Sequence, residues 1–383
     1  MRTWILVLVL VLVLAACRQS PSRAVLVSDV KQSPPEVLSE WKLFERRAGV
    51  LRPARDGLVY ELSTPLFSDY AQKLRAIHVP PGTAIRYGED EFAFPVDTII
   101  TKTFYYPIDE GDGGSANVVR KVRSAIEDVS LDLEHVRLLE TRLLVNTREG
   151  WVALPYVWND AQTEATLELA GDDLEIELSD GHARERFVYQ VPDTNQCASC
   201  HAADFGQQRI VPIGVKARHL NRDVAYPNAT ENQLAHWARN EILSDLPDGA
   251  TAPSSAQWND ARQDLNARAR AYLDINCGHC HSATAAANTS GLLLDATTTD
   301  PARLGRCKVP VATGRGSGTG VFDIVPGTPD ESILLQRMIS TEPDIAMPEI
   351  GRALVHEEGV ALIRAWIAAM PGDCASPRAI REE

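Results

Sequence analysis

Cys197-Ala198-Ser199-Cys200-His201 and Cys277-Gly278-His279-Cys280-His281 share one form: two thiols separated by two residues, then an imidazole. Thiols at that spacing reach the two vinyl groups of one porphyrin, and the histidine that follows is held against an axial face of the iron. Each run therefore has the form of a c-type haem attachment site, and the chemistry expected of the chain is largely that of the group it carries. Two rival readings use the same cysteines. A four-cysteine zinc site built from both pairs leaves both histidines without a role. A thiol–disulfide motif should open a helix within a βαβ pattern, and neither run reads that way. The expectation is two haem c groups, with His201 and His281 as proximal iron ligands.

The sixth ligands must come from elsewhere. The chain has four methionines. Met1 is lost with the leader, and Met338 and Met370 lie within helical patterns. Met347, in Ile345-Ala346-Met347-Pro348-Glu349, remains as the distal ligand of the second haem; a thioether there favours reduced iron and raises the potential relative to two histidines. No methionine lies near the first motif. His236 is the preferred distal ligand, with His219 and Lys216 as alternatives, and a five-coordinate iron stays open. Arg315, Arg337 and Arg352 are candidates for pairing with haem propionates, because a guanidinium suits a carboxylate bidentately; ordinary surface arginine is the plainer reading of each.

The remaining cysteines set the compartment. Arg2 precedes an apolar run, Trp4 to Leu14, that is too short to span a bilayer and has the form of a secretory signal. Leu14-Ala15-Ala16-Cys17 resembles the bacterial lipobox, which implies that Cys17 is lipidated and anchors the mature chain to a membrane. Arg18, where an aspartate would favour inner-membrane retention, points to the outer membrane. Of seven cysteines, Cys17 goes to lipid and four to haem. Cys307 and Cys374 are left, and in an oxidising compartment they are expected to pair.

The elements that must position these residues fall into segments. After the signal (1–17) and a Ser/Pro-containing tether (18–44), residues 45–190 read as β-rich. Phe94 to Tyr106 is dense in β-branched and aromatic residues, Leu138 to Val145 and Trp151 to Trp158 flank a turn, and Leu174 to Leu178 alternates apolar with acidic residues. Residues 116–134 are an exception that reads as helix or inserted loop. Residues 191–256 hold the first motif, preceded by strand-like Phe187-Val188-Tyr189, with a helix expected over Asn232 to Leu243. Residues 257–376 hold the second motif, with helices expected over Ala261 to Ile275, Pro329 to Ile339 and His356 to Met370. The expected fold is thus an antiparallel, sandwich-like β-rich domain followed by mostly α-helical haem-binding modules, the last a class I cytochrome c fold. A formal net charge of −14 over 383 residues argues against nucleic acid as a partner and suits a basic redox protein.

The chain resembles the dihaem c-type cytochrome lipoprotein family of Gram-negative bacteria. The resemblance rests on Tyr60-Glu61-Leu62-Ser63-Thr64-Pro65-Leu66-Phe67-Ser68-Asp69-Tyr70, Lys102-Thr103-Phe104-Tyr105-Tyr106-Pro107, Glu140-Thr141-Arg142-Leu143-Leu144-Val145, Asn232-Gln233-Leu234-Ala235-His236-Trp237, and Val325-Pro326-Gly327 through Met347-Pro348. It covers nearly the whole mature chain. It implies electron transfer between redox partner proteins at the periplasmic face of the envelope, without a defined substrate, and a secreted β-helical protein as a companion. It supports both haem motifs and Met347. The alternatives are a dihaem peroxidase or dehydrogenase subunit reacting at the first haem, and a ligand-binding β domain with accessory haems.

Overall fold

The structure, a computed structural model, describes residues 27, 30–108, 117–120, 130–202, 204, 206, 209–226, 229–247, 251–312 and 314–374. The signal segment, Cys17, the first part of the tether and much of the 116–134 exception lie outside the described residues. Among the described residues no helix is long and apolar enough to cross a membrane.

The centre is a six-stranded antiparallel sheet whose strands pair in the order in which they occur: β1 (Gly57–Val59), β2 (Gln72–His78), β3 (Ile99–Pro107), β4 (Val136–Thr147), β5 (Gly150–Trp158) and β6 (Ala165–Leu167). Each connection is local, so the meander needs no crossover. Val, Ile, Thr and aromatic side chains fill β3 and β4 and fit a pleated surface packed on both sides.

Alternation divides these side chains between two faces. One face carries Ile99, Leu143, Val145, Leu154 and Tyr156, which pack on Leu38 and Trp41; Trp41 Nε1 donates to Tyr156 Oη at 2.7 Å. The other face has three zones. At one end Ile77 and Ile100 meet Leu220, Leu234 and the fully buried Trp237. At the other end Phe104, Tyr106 and Leu139 meet Ile176, Leu178 and Tyr189, from the hairpin Asp172–Ser179/Arg184–Val191. Between them lie Arg75, Lys102 and Arg142, in register on β2, β3 and β4.

The expected series of helical haem modules is not formed, and the class I cytochrome c fold is corrected. Among the described residues the chain is mostly β, 29% strand against 21% helix, and the six helices found there are short. They are α1 (Thr194–His201), a single turn at Ala217–Leu220, α2 (Gln233–Arg239), α3 (Leu265–Leu273), α4 (Ile333–Ile339) and α5 (Glu357–Ala368). Local competition explains the shortening. The helix expected over Asn232 to Leu243 stops at Arg239, because Glu241 adopts φ 59° and turns Leu243 into parallel pairing with Ile85. Between the second motif and α4 the backbone runs through turns and short 3-10 segments. Gly305 there has φ 98°, a conformation that costs a side-chain-bearing residue. The segment that carries the first motif shares a core with the sheet through Val215, Leu220, Leu234 and Trp237. The segment of the second motif packs around a core of its own, with Leu273, Leu335, Ile363 and Ile367 at its centre, and reaches the sheet side through Leu354.

Two buried carboxylates tie those later segments down. Asp69 accepts from the backbone N–H of Ala353 (2.9 Å) and Leu354 (2.8 Å), and its own carbonyl accepts from the Tyr106 hydroxyl. Asp69 and Tyr70 both sit at positive φ, 48° and 63°, an arrangement that persists only where surroundings over-determine it. Asp274, at the end of α3, takes a bidentate pair from Arg218 (2.7 and 3.0 Å) and lies 3.1 Å from His219 Nε2.

Burial opposes ionisation of Asp274, yet hydrogen bonds from His219 and Arg218 and their charge hold its pKa well below the usual carboxylate value. A carboxylate depressed on folding contributes stability above its unfolded pKa and loses it as pH falls through the folded value. Replacing Asp274 by Ala leaves buried Arg218 with only the more distant carboxylate of Asp90, at 3.7 Å, and should cost about 3 kcal/mol in urea denaturation at neutral pH. The difference from wild type should shrink as the pH is taken below about 4.

Candidate functional site

The first motif occupies α1. Asp193 caps it, accepting from Asn195 N (2.7 Å) and Gln196 N (2.8 Å), while Gln196 Oε1 accepts from Asp193 N at 3.0 Å. This reciprocal cap fixes where the helix starts. Cys197, Cys200 and His201 then stand at i, i+3 and i+4, on one helical face. The segment before it is a strand, as expected, but the motif itself is helical. The second motif follows α3 through a π turn, Asp274–Gly278. Gly278 is required there: a Cβ would lie 2.9 Å from Asp295 Cα.

Both motifs open onto one cavity of about 740 Å³, within the roughly 300–1,000 Å³ usual for cofactor sites. The six cysteine and histidine positions read as haem-attachment residues all line it. The two runs meet at Cys200, which hydrogen-bonds Cys280 and His279 of the second motif. The shared proton makes the first ionisation of the Cys200–Cys280 pair easier and the second harder. Burial pushes Cys197 up to about 11 and Cys277 up to about 12, so both remain thiols. Among the described residues no group of three or more His, Cys, Asp or Glu is arranged to hold a metal ion.

The two histidines are oriented alike. His201 Nδ1 lies 2.7 Å from the Val211 carbonyl and His281 Nδ1 3.2 Å from the Leu292 carbonyl. Donation from Nδ1 fixes the tautomer and leaves the Nε2 lone pair free, and neither Nε2 has a hydrogen-bond partner among the described residues. Burial lowers His201 to about 3 and His281 to about 4, so both imidazoles are neutral. The residues present therefore fit a covalently held, histidine-ligated porphyrin.

Met347 lines the same cavity. Its N–H donates to the Arg337 carbonyl (2.9 Å) and its carbonyl accepts from Arg352 Nε (3.1 Å). Arg352 also donates to Ser340 O at 2.8 Å, so this guanidinium braces the Met347 loop. Arg337 borders the cavity too, whereas Arg315 is exposed and pairs with Glu342.

His236 is not brought to the cavity. It stacks on Tyr226 at 3.8 Å and its Nδ1 meets Glu231 Oε1 at 2.5 Å. His219 is buried against Asp274. Neither borders the cavity, nor does Lys216, because the turn and helix that carry them face the sheet.

Several lining residues escaped sequence reasoning. His356 stacks on Phe67 (4.3 Å, interplanar 9°), meets Trp258 edge-on and lies 3.0 Å from Tyr272 Oη; burial lowers it to about 4. Met338 is both core and cavity wall. Lys73, Arg75, Lys102 and Arg142 form a cationic wall, and burial, reinforced by Arg142 and Arg75, pushes Lys102 down to about 7. A lysine interrupting the apolar run Ile99 to Tyr106 was the available signal.

Cys307 and Cys374 are joined by a disulfide, as cysteine arithmetic predicts, across a sequence separation of 67. It ties the tail after α5 to the loop whose Lys308, Pro310 and Val311 line the cavity. Compared with known proteins, the chain matches no family model, no curated protein and no solved structure.

Thiol titration of the denatured, unreduced protein should find neither Cys307 nor Cys374. A Cys307→Ser/Cys374→Ser double variant should lose about 2–5 kcal/mol in urea denaturation.

Proposed function

We propose that this protein is a dihaem c-type cytochrome that passes electrons between redox partners at the periplasmic face of a Gram-negative envelope, held there by lipid on Cys17. The observation that supports it best is the convergence of two C-x-x-C-H runs on one cavity, each with its histidine Nδ1 bound to a backbone carbonyl and its Nε2 unpartnered. Bound haem supplies one-electron chemistry through its iron. The chain's own residues divide the remaining work. Cys197 and Cys200 hold one group, Cys277 and Cys280 the other, and His201 and His281 offer neutral nitrogen donors. Met347 offers a thioether for the second site, held in place by Arg352. Apolar side chains from the sheet and α4, with Ile275 from the turn after α3, line much of the cavity. In this reading the partners are redox proteins, with a secreted β-helical companion implied by the family resemblance.

A second reading, a peroxidase or dehydrogenase subunit reacting at the first haem, draws on the placement of His236 and His219 away from the cavity. An iron at His201 without a sixth protein ligand could take a small substrate. A high-spin signal from half the haem would favour this reading, and two low-spin signals would exclude it.

Pyridine haemochrome assay of the purified full chain should give two haems per chain, and Cys200→Ala with Cys197→Ala should leave one. No covalent haem in the wild type would sink the proposal. Met347→Ala should remove the low-spin methionine–histidine signature of one haem in EPR and near-infrared spectra; an unchanged spectrum refutes that ligand.

A further inference from the structure

Arg75, Lys102 and Arg142 stand directly opposite one another on three adjacent strands, Arg75 against Lys102 and Lys102 against Arg142. Like charges opposed across a sheet repel. Lys73, two residues along β2, adds a fourth basic group; it and Lys102 lie 5.5 and 5.3 Å from the centre of the Phe104 ring, with Arg142 at 4.4 Å. Among the described residues one carboxylate pairs directly with this group, and Asp69 acts on Lys73 from farther away. Glu140 bonds Arg142 Nε at 2.8 Å and the Tyr189 hydroxyl at 2.7 Å, so its oxygens are committed.

Arg75 is only 5% exposed and borders the cavity. Among the described residues its guanidinium has no hydrogen-bond or ion-pair partner. Lys102 makes no ion pair either, and Lys73 donates to the Leu66 carbonyl at 3.0 Å. A buried guanidinium facing a cavity without a partner is costly unless an anion completes it. The planar fork of arginine suits a carboxylate.

Resting on the dihaem reading, we propose that Arg75, Lys102 and Arg142 form a carboxylate-binding wall that receives the propionates of the haem attached at Cys197 and Cys200. α1, which carries Cys197, Cys200 and His201, packs against β5, and β5 pairs with β4, the strand that carries Arg142, whereas Arg352 is bonded to the Met347 loop. The wall therefore belongs to the first site. It also gives the meander a role in the function: the sheet is one side of a cofactor pocket.

The test uses wild type, Arg75→Gln, Lys102→Gln and the charge-retaining Lys102→Arg, each as the full haem-loaded chain with haem counted by pyridine haemochrome. Resonance Raman propionate-bending bands and a potentiometric titration are recorded together. Both Gln variants should keep two haems, shift the propionate band of one, and lower one midpoint while leaving the other in place. The midpoint falls because a nearby cation favours the less positive, reduced iron. Lys102→Arg should return both readouts toward wild type. Unchanged bands at full haem content overturn the wall assignment and leave the dihaem reading standing. No haem in the wild type brings down the dihaem reading, and this assignment with it. If free acetate titrated into the wild type shifts the band, and Lys102→Gln abolishes that response, the wall serves a diffusible anion and the propionate assignment fails.

Discussion

Three cations in register across neighbouring strands cannot stabilise one another, and that constraint shapes the middle of this protein. On either side of Arg75, Lys102 and Arg142 the same sheet face is apolar and fully covered, by Trp237 and Leu220 at one end and by Tyr189 and Ile176 at the other. Packing in those two zones is what pins β2, β3 and β4 in register despite the repulsion between them. The strip between cannot be closed with apolar side chains without stranding the charges, so the fold leaves a cavity over it. Glu140, fully buried and bonded to Arg142 and Tyr189, neutralises one end. In the proposed function the remaining charge is answered by carboxylates that the cofactor brings.

The opposite wall of the cavity comes from residues far along the chain, and two aspartates hold it in place. Asp274 sits three residues before Cys277 and grips Arg218, which follows the first motif, so one side chain couples the two motif segments. Asp69 does the same for the stretch before α5, by accepting two backbone N–H groups. Burial raises Asp69 to about 6 while Arg218 and His219 keep Asp274 depressed. The difference follows from the partners: neutral N–H groups only partly offset desolvation, whereas a guanidinium more than offsets it. The disulfide acts after the second motif, holding the tail after α5 to the loop that carries Lys308 and Pro310 into the cavity lining.

Local rules carried much of the reading. Composition and a flanked turn identified β3, β4 and β5 of the meander, though not β1 and β2, and the strand before the first motif was legible in Phe187 to Tyr189. Helices were recognisable around Leu265, Ile333 and Val360, though each is shorter than its pattern. The failure was at the level of assembly. Glu241 at positive φ and the pairing of Leu243 with Ile85 ended α2 early, and the segment after the second motif is irregular. What reads as a row of helical modules is a strand-rich body with short helices set on it. His236 illustrates the same limit: its helix was expected, but helical period cannot say which face meets the cavity, and stacking on Tyr226 settled it.

The amino-acid sequence by itself determined the two thiol–thiol–imidazole runs, the leftover cysteine pair and the strand-rich middle, because spacing, counting and alternation are properties of neighbouring residues. Only the tertiary structure decided that both runs share one cavity, that Arg75, Lys102 and Arg142 stand in one row behind it, and that His219 and His236 turn away. Those facts depend on register between strands separated by tens of residues and on packing between segments hundreds of residues apart. A one-residue slip in that register would send each cation to the opposite face of the sheet.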